Sequence, residues 1–281
     1  MEPARGRSEV TVMKKILLCL RVVVPAVVLF LSIRVSAQGP PLDRSSSKDA
    51  PLSLQQVVGN LERRNAQRAA ALDEFTGTRI YRMEYRGFPN DHDAEMVVAA
   101  TYRAPDSKQF TVVSQSGSKF IIEHIFRKLL EGEQEAANPE NRRLTALSTD
   151  NYNFELAGYE NGPRGGCYVL NLLPKTRNKF LYRGKIWVDA HDFAVMRIEG
   201  EPAKNPSFWI KKTEVKHQYR KVNDFWLPAE NHTESLIRLG GRATLTIEYR
   251  DYKITKSEAM PAIKAAGDPN LSVPPQVLTD H

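Results

Sequence analysis

Cysteine is scarce in this chain, with two residues among 281. Cys19 lies within an apolar N-terminal stretch that we predict to be removed, which leaves Cys167 alone. Small exported domains that cannot build a sufficient core are usually held by several disulfides. An intrachain disulfide is therefore excluded here, and we expect the fold to depend on a packed interior.

Motifs of common enzymes are missing as well. The sequence has no glycine-rich phosphate loop, no G-x-S-x-G and no dinucleotide-binding fingerprint. Three segments combine histidine with carboxylates: Asp91-His92-Asp93, Asp189-Ala190-His191-Asp192 and Glu230-Asn231-His232-Thr233. Each could in principle hold a metal or an acid–base pair, because these are the side chains that such sites use.

Turn and strand chemistry accounts for these segments better. The first two occupy predicted turns, where aspartate side chains accept hydrogen bonds from nearby backbone amides, and neither has a spacing such as H-E-x-x-H. The third lies on a predicted strand, where alternate residues are about 7 Å apart along the chain. Cys167 opens an apolar run and is interpreted as a small buried hydrophobe rather than a nucleophile. We expect no catalytic residue, metal or cofactor, and no enzymatic activity.

The N-terminal segment predicts export. Lys14 and Lys15 precede an apolar run that ends at Val35-Ser36-Ala37, the arrangement of a signal peptide cut between Ala37 and Gln38. A membrane anchor is the alternative, but Arg21 and Arg34 leave too short an uncharged core for a span of about 20 residues. Because residues 1–12 are polar, translation from Met13 is a further hypothesis. The residue directly after the cut is Gln38 rather than cysteine, so this signal does not make the chain a lipoprotein.

Clustered positive charge is absent from the remaining chain. The formal net charge of +7 falls by four, to +3, when residues 1–37 are removed. Nucleic-acid binding needs Lys and Arg concentrated on one surface, whereas here charges of both signs alternate along the predicted strands. We therefore expect no nucleic-acid partner.

About 244 residues remain, enough for one domain with a core. Residues 38–52 are rich in Pro, Ser, Asp and Lys and are predicted to be a disordered linker. Apolar residues at helical spacing from Leu52 to Leu72 then predict an amphipathic helix, with Ser53 and Gln56 forming a capping box. Residues 256–281 contain four prolines and are predicted to be a disordered tail.

Residues 53–255 show the alternation of half-buried strands joined by turns. About ten strands are predicted, with a second helix over Glu123 to Ala137 that ends before Asn138-Pro139 and has Glu131, Glu133 and Glu135 on its wet side. Phe120 and Ile122 are assigned to a short strand before it. An antiparallel sheet of this length twists and curls. The predicted fold is α+β but mostly β: a curved antiparallel sheet forming an incomplete, half-open β-barrel, with helices covering its concave face.

Three segments carry a resemblance to a known family: Tyr182 to Asp189 (YRGKIWVD), Val195 to Pro202 (VMRIEGEP) and Phe225 to Ala229 (FWLPA). With the order of elements and the signal peptide, residues 53–255 resemble the outer-membrane lipoprotein-sorting, LolA/LolB-like superfamily. The resemblance implies a periplasmic, monomeric carrier or binding protein for lipid or acylated lipoprotein, together with membrane-bound donor or receptor proteins. A regulatory module that contacts a membrane protein's periplasmic segment is the alternative within the same superfamily.

The resemblance also implies an apolar cavity between the sheet and its helices. Candidate lining residues from the strand faces are Tyr81, Met83, Tyr85, Met96, Val98, Tyr102, Phe110, Val112, Ile186, Val188, Met196, Ile198, Trp209, Val215, Leu245 and Ile247. The same pattern is expected if these side chains simply fill a core. Family members hold the helical cover with a polar residue of the sheet, for which Arg79 and Arg82 are both candidates.

Overall fold

The computed structural model describes residues 52–162, 165–178, 180–205, 208, 210–238 and 240–260. The predicted signal peptide with its cleavage site at Ala37 and Gln38, nearly all of the linker, and the tail beyond residue 260 lie outside these ranges. Trp209 does too.

The first element is helix α1, Leu54–Ala71. Its capping box is confirmed, because Ser53 Oγ accepts from the Gln56 amide at 3.4 Å and Gln56 Oε1 accepts from the Ser53 amide at 2.9 Å. Val57, Val58 and Leu61 form its buried face. Strand β1 follows at once, starting at Leu72.

Ten antiparallel strands form one sheet. Their bounds are β1 Leu72–Arg86, β2 His92–Arg103, β3 Ser107–Gly117, β4 Tyr152–Gly162, β5 Gly165–Pro174, β6 Tyr182–Asp189, β7 Val195–Pro202, β8 Ile210–Val222, β9 Phe225–Ile237 and β10 Arg242–Ser257. The order across the sheet is β3-β2-β1-β10-β9-β8-β7-β6-β5-β4. The first and last strands therefore pair within the sheet, two strands in from the β3 edge, and β3 and β4 are the two edges of a sheet that does not close. The last strand reaches two residues into the predicted tail.

A helical segment after β3 begins earlier than predicted. It runs through Lys119–Ile121, a π-helical turn at Ile122–Phe126 and Arg127–Ala136, and is here called α2. Phe120 and Ile122 are therefore helical, which corrects their assignment to a strand. Ser118 ends the extended segment, because its hydroxyl accepts from the Ile121 amide at 3.5 Å and caps the helix.

A third helix, α3, spans Pro139–Thr145 and was not predicted. The sequence predicts that a helix ends before Asn138-Pro139, and the same two residues also start the next helix. Asn138 Oδ1 accepts from the Glu140 amide at 3.0 Å, and Pro139 occupies the first turn, where its missing N–H costs nothing.

Both long helices pack on the sheet. Ile121, Ile125, Phe126 and Leu129 of α2 lie on an apolar cluster formed mainly by β1, β2 and β10. The buried face of α1 lies on a second cluster, formed mainly by β5, β6 and β7. The predicted incomplete barrel with a helical cover is confirmed. Among the described residues, no helix combines the length and the apolar character needed to cross a bilayer.

Candidate functional site

Most of the predicted lining residues lie in the filled interior. Tyr81, Met83, Tyr85, Met96, Val98, Leu245 and Ile247 pack beneath α2, while Ile186, Val188 and Ile198 pack beneath α1. Val215 is buried, Phe110 packs at the border of the first cluster, and Met196 is half-buried. Val112 is 47% exposed on edge strand β3, and Trp209 lies outside the described residues. Tyr102 alone among the described candidates lines the cavity that follows.

A cavity of about 100 Å³ lies where α1 ends against the sheet. Its wall is mostly apolar and aromatic. The lining residues are Asn65, Arg68, Ala69, Leu72, Phe75, Arg79, Tyr102, Lys108, Ala194, Val195, Tyr219, Phe225, Trp226, Leu227, Pro228, Tyr249 and Tyr252. An apolar cavity with a few convergent polar groups is the usual form of a small-molecule site.

Arg68 connects α1 to the loop before β7 at one wall of the cavity. Its guanidinium donates to the backbone oxygens of Asp192 at 3.0 Å and Phe193 at 2.8 Å, and to Asn65 Oδ1 at 2.8 Å. Burial lowers the pKa of Arg68 to about 10. The side chain stays charged at neutral pH and fixes the C-terminal end of α1 over the cavity.

Arg79 connects the sheet to α2 at another wall. It forms a buried ion pair with Glu133 Oε2, while Tyr81 donates to Glu133 Oε1 at 2.7 Å. The Arg79 guanidinium carbon lies 4.9 Å from the ring centre of Phe110 and 5.2 Å from that of Tyr249, within the range of cation–π contacts. Arg79 therefore joins β1 to the helical cover through a buried ion pair.

The second candidate for this role, Arg82, faces the other side of the sheet. It pairs with Glu95 at 2.7 Å and with Glu248, and its side chain is 40% exposed. Alternation along β1 separates the two arginines, because residues of odd number from Arg79 to Tyr85 turn inward and those of even number turn outward. Arg82 makes no contact with α2.

Glu133 corrects a prediction. The helical pattern predicts it on the wet side of the second helix, but its side chain is fully buried. Burial by itself would raise the pKa of Glu133, but Arg79, Lys108 and the hydrogen bond from Tyr81 outweigh burial and hold that pKa below its usual value. The signal in the sequence was Arg79 itself, a charged residue at an inward position that requires a buried partner.

Lys108 is the third cation at the cavity. It lies on β3 opposite Tyr102 and is 7% exposed. No group of the described residues accepts a hydrogen bond from its Nζ. Burial lowers the pKa of Lys108 to about 8, against the opposing influence of Glu133. The sequence does not indicate that Lys108 is buried, since lysine at the start of an edge strand is ordinarily exposed.

The histidine and aspartate segments take part in turns and strand pairing. Asp189 Oδ1 accepts from the amides of His191 at 3.0 Å and Asp192 at 2.6 Å, and Asp91 Oδ1 accepts from the Gly87 amide at 3.0 Å. Cys167 is half-buried and unbridged, and burial raises the pKa of its thiol. Within the described ranges, no cluster of three or more His, Cys, Asp or Glu side chains is arranged to hold a metal ion.

Neither a family model nor a curated protein matches the chain. Several solved structures do. The chain is similar to a DUF1329 family protein from Desulfovibrio piger, with 11% identity and a TM-score of 0.37 over 72% of this chain and 93% of that one. It is similar to a domain described as an outer membrane lipoprotein-sorting protein from Vibrio parahaemolyticus, with 11% identity and a TM-score of 0.36 over 72% and 93%.

A third structure is a LolA superfamily protein from Nitrosomonas europaea, with 12% identity and a TM-score of 0.32 over 75% of this chain and 96% of that one. The superfamily named from the sequence thus appears among the similar structures. At these identities and TM-scores, the matches carry no argument about a ligand or a partner.

Proposed function

We propose that the chain is an extracytoplasmic carrier or binding protein for lipid or an acylated lipoprotein. The observation that supports this most directly is the aromatic and apolar cavity between α1 and the sheet. Transfer of an acyl chain from water to such a wall is favourable by about 0.8 kcal/mol per buried CH₂. The predicted signal peptide would deliver the chain to a compartment where lipids must cross water.

The cavity is smaller than a complete acyl chain requires. An apolar cavity of about 150 Å³ can take up a benzene ring, whereas this one has a volume of about 100 Å³. A complete acyl chain therefore needs displacement of a packed element. The buried pair between Arg79 and Glu133 is suited to control this step, because it joins α2 to a strand that borders the cavity.

A cavity-filling variant tests the proposal. Ala69 lines the cavity on α1, and its neighbour Ala70 is exposed on the same helix. We expect Ala69→Leu to reduce binding of a fluorescent fatty acid, because the leucine side chain fills part of the cavity. The expected loss in affinity is about tenfold or more, which corresponds to about 1.4 kcal/mol. Ala70→Leu should bind as the wild type does. Equal binding by both variants, or a wild type that binds no fatty acid and copurifies with no lipid, would rule out this cavity as the site.

Edge strand β3 favours a second candidate, the binding of a membrane protein's periplasmic segment. Val112 is 47% and Val113 65% exposed, and within the described part of the chain no strand pairs with the outer side of β3. An edge of this kind can accept an extended segment as a further strand. Recovery of one membrane protein in a pull-down, lost when Val113 is changed to Pro, would favour this candidate; recovery of lipid alone would count against it.

A further inference from the structure

Lys108 lines a largely apolar cavity, and its ammonium group is buried. Nine-tenths of the residue is removed from solvent, and its Nζ has no hydrogen-bond partner among the described residues. A buried charge without a partner is strongly unfavourable, so proteins pair it or neutralise it. The packing of the described residues leaves the charge of Lys108 without a hydrogen-bond acceptor.

The nearby carboxylate is already engaged. Glu133 uses Oε2 for Arg79 and Oε1 for Tyr81, and no ion pair joins it to Lys108. Two buried cations, Lys108 and Arg79, and one buried anion, Glu133, thus lie together at this end of the cavity. One positive charge remains uncompensated on the cavity side.

We propose that the cavity binds an aliphatic carboxylate, with the acid group on Lys108 and the chain against Phe75, Tyr102 and Leu227. This inference rests on the proposed function and adds the chemical class of the ligand. A carboxylate carries the single negative charge that would balance Lys108, and its two oxygens accept the bonds that the ammonium donates.

Larger or more highly charged head groups fit less well. Arg68 and Arg79 are occupied by backbone oxygens and by Glu133, so no free guanidinium is available for bidentate binding of a phosphate. A dianion would leave one negative charge in an apolar environment. The volume of about 100 Å³ admits a carboxyl group with a short stretch of chain, and a longer chain requires the cavity to enlarge.

The protonation of Lys108 suits this role. With a pKa of about 8, the side chain is mostly charged at pH 7, and a bound carboxylate would raise that pKa. The charged groups that face it are Arg79 of β1, Glu133 of α2 and Arg142 of α3, and burial raises the pKa of the neighbouring phenol of Tyr102 to about 12. Lys108 is therefore the group of this set that changes charge between pH 7 and pH 9.5.

Calorimetric titration with decanoate and with decanol tests the proposal, because the two probes share a chain and differ in the acid group. At pH 7 we expect the wild type to bind decanoate about 10- to 100-fold more tightly than decanol, as for a hydrogen bond to a charged group. Lys108→Met should bind the two probes equally. Lys253→Met removes an exposed lysine of β10 with the same change in net charge, and should keep the wild-type preference.

Each result separates this proposal from the preceding one. Equal binding of decanoate and decanol by the wild type, or a preference that survives in Lys108→Met, overturns the role of Lys108 and leaves the apolar cavity as the site. If neither decanoate nor decanol binds the wild type, both proposals are overturned. If Lys108→Met does not fold, the pH dependence of binding by the wild type tests the proposal without the variant. Its preference should fall by about tenfold or more between pH 7 and pH 9.5, since decanoate stays ionised and Lys108 does not.

Discussion

Arg79 of β1 and Glu133 of α2 form an ion pair that is closed off from solvent on both sides. Among the ion pairs of the described residues, it alone has both side chains less than a tenth exposed. It joins the helical cover to the sheet next to the cavity, at a point where removal of either partner leaves a buried charge. One buried contact therefore links α2 to a strand that borders the cavity.

Arg79→Met should loosen α2. Loss of one partner of a buried pair typically lowers the free energy of unfolding by about 3–5 kcal/mol, because the remaining charge stays buried. Urea unfolding measures this change, and hydrogen exchange of the amides of residues 127–136 should become faster than in the wild type. Arg82→Met is the matched control on the same strand, where an exposed pair contributes about 0–1 kcal/mol. Equal losses in the two variants would contradict the anchoring role.

Lys108→Met should stabilise the protein at pH 7. An apolar replacement removes the cost of burying an unpaired charge, and we expect the free energy of unfolding to rise by about 1–3 kcal/mol. The pKa of Lys108 falls from 10.5 in the unfolded chain to about 8 in the folded one. Its cost is full below pH 8 and fades as the pH rises to 10.5, so the gain in the variant should shrink over that range. A destabilised variant at pH 7 would contradict the absence of a partner for Lys108.

His217 should make the fold sensitive to mild acid. It is 1% exposed, lies 5.4 Å from the Tyr182 ring between centroids, and burial lowers its pKa from 6.5 to about 4. The unfolded chain therefore binds a proton that the folded chain does not, and stability is lost as the pH falls from 6.5 toward 4. Between pH 7 and pH 5 we expect a loss of about 2 kcal/mol from this residue, measured by urea unfolding.

His217→Phe should remove that part of the slope. His232 is the control, because its side chain is 35% exposed on the outer face beside Glu234. His232→Phe makes the same change at a partly exposed position and should retain the slope that His217 causes. An unchanged slope in His217→Phe would show that other groups cause the acid sensitivity.

Gly200→Ala should disrupt the contact between β6 and β7. Gly200 lies opposite Gly184, and a Cβ built on it would be 2.1 Å from the Arg183 carbonyl oxygen. Backbone has to move to admit the methyl group, so we expect a loss of about 1–3 kcal/mol in the free energy of unfolding. At Gly158 a Cβ meets nothing within 4 Å. Gly158→Ala should be neutral or slightly stabilising in the same measurement.

The strands and the first helix follow from local periodicity. Alternation in β1 predicts that Tyr81, Met83 and Tyr85 face inward, and all three are buried. Ser53 and Gln56 are sufficient to predict the start of α1, because a capping box involves neighbours in the sequence. The start of α2 is harder to predict from the local sequence. Phe120 and Ile122 alternate as a strand does, and the capping hydroxyl of Ser118 outweighs that pattern.

The sequence by itself determined a long antiparallel sheet with two covering helices, since the periods of strands and helices are read over a few residues. Only the tertiary structure decided that Arg79 rather than Arg82 holds α2, that Glu133 is buried, and that Lys108 is left without a partner at a cavity. These facts depend on residues that are distant in the chain and meet only when the sheet curves beneath its helices. The candidate lining residues show this too. Inward-facing strand residues alternate in the same way whether they fill a core or line a cavity, so the sequence pattern does not distinguish the two. The packing of α1 on the sheet decides which positions border the open space.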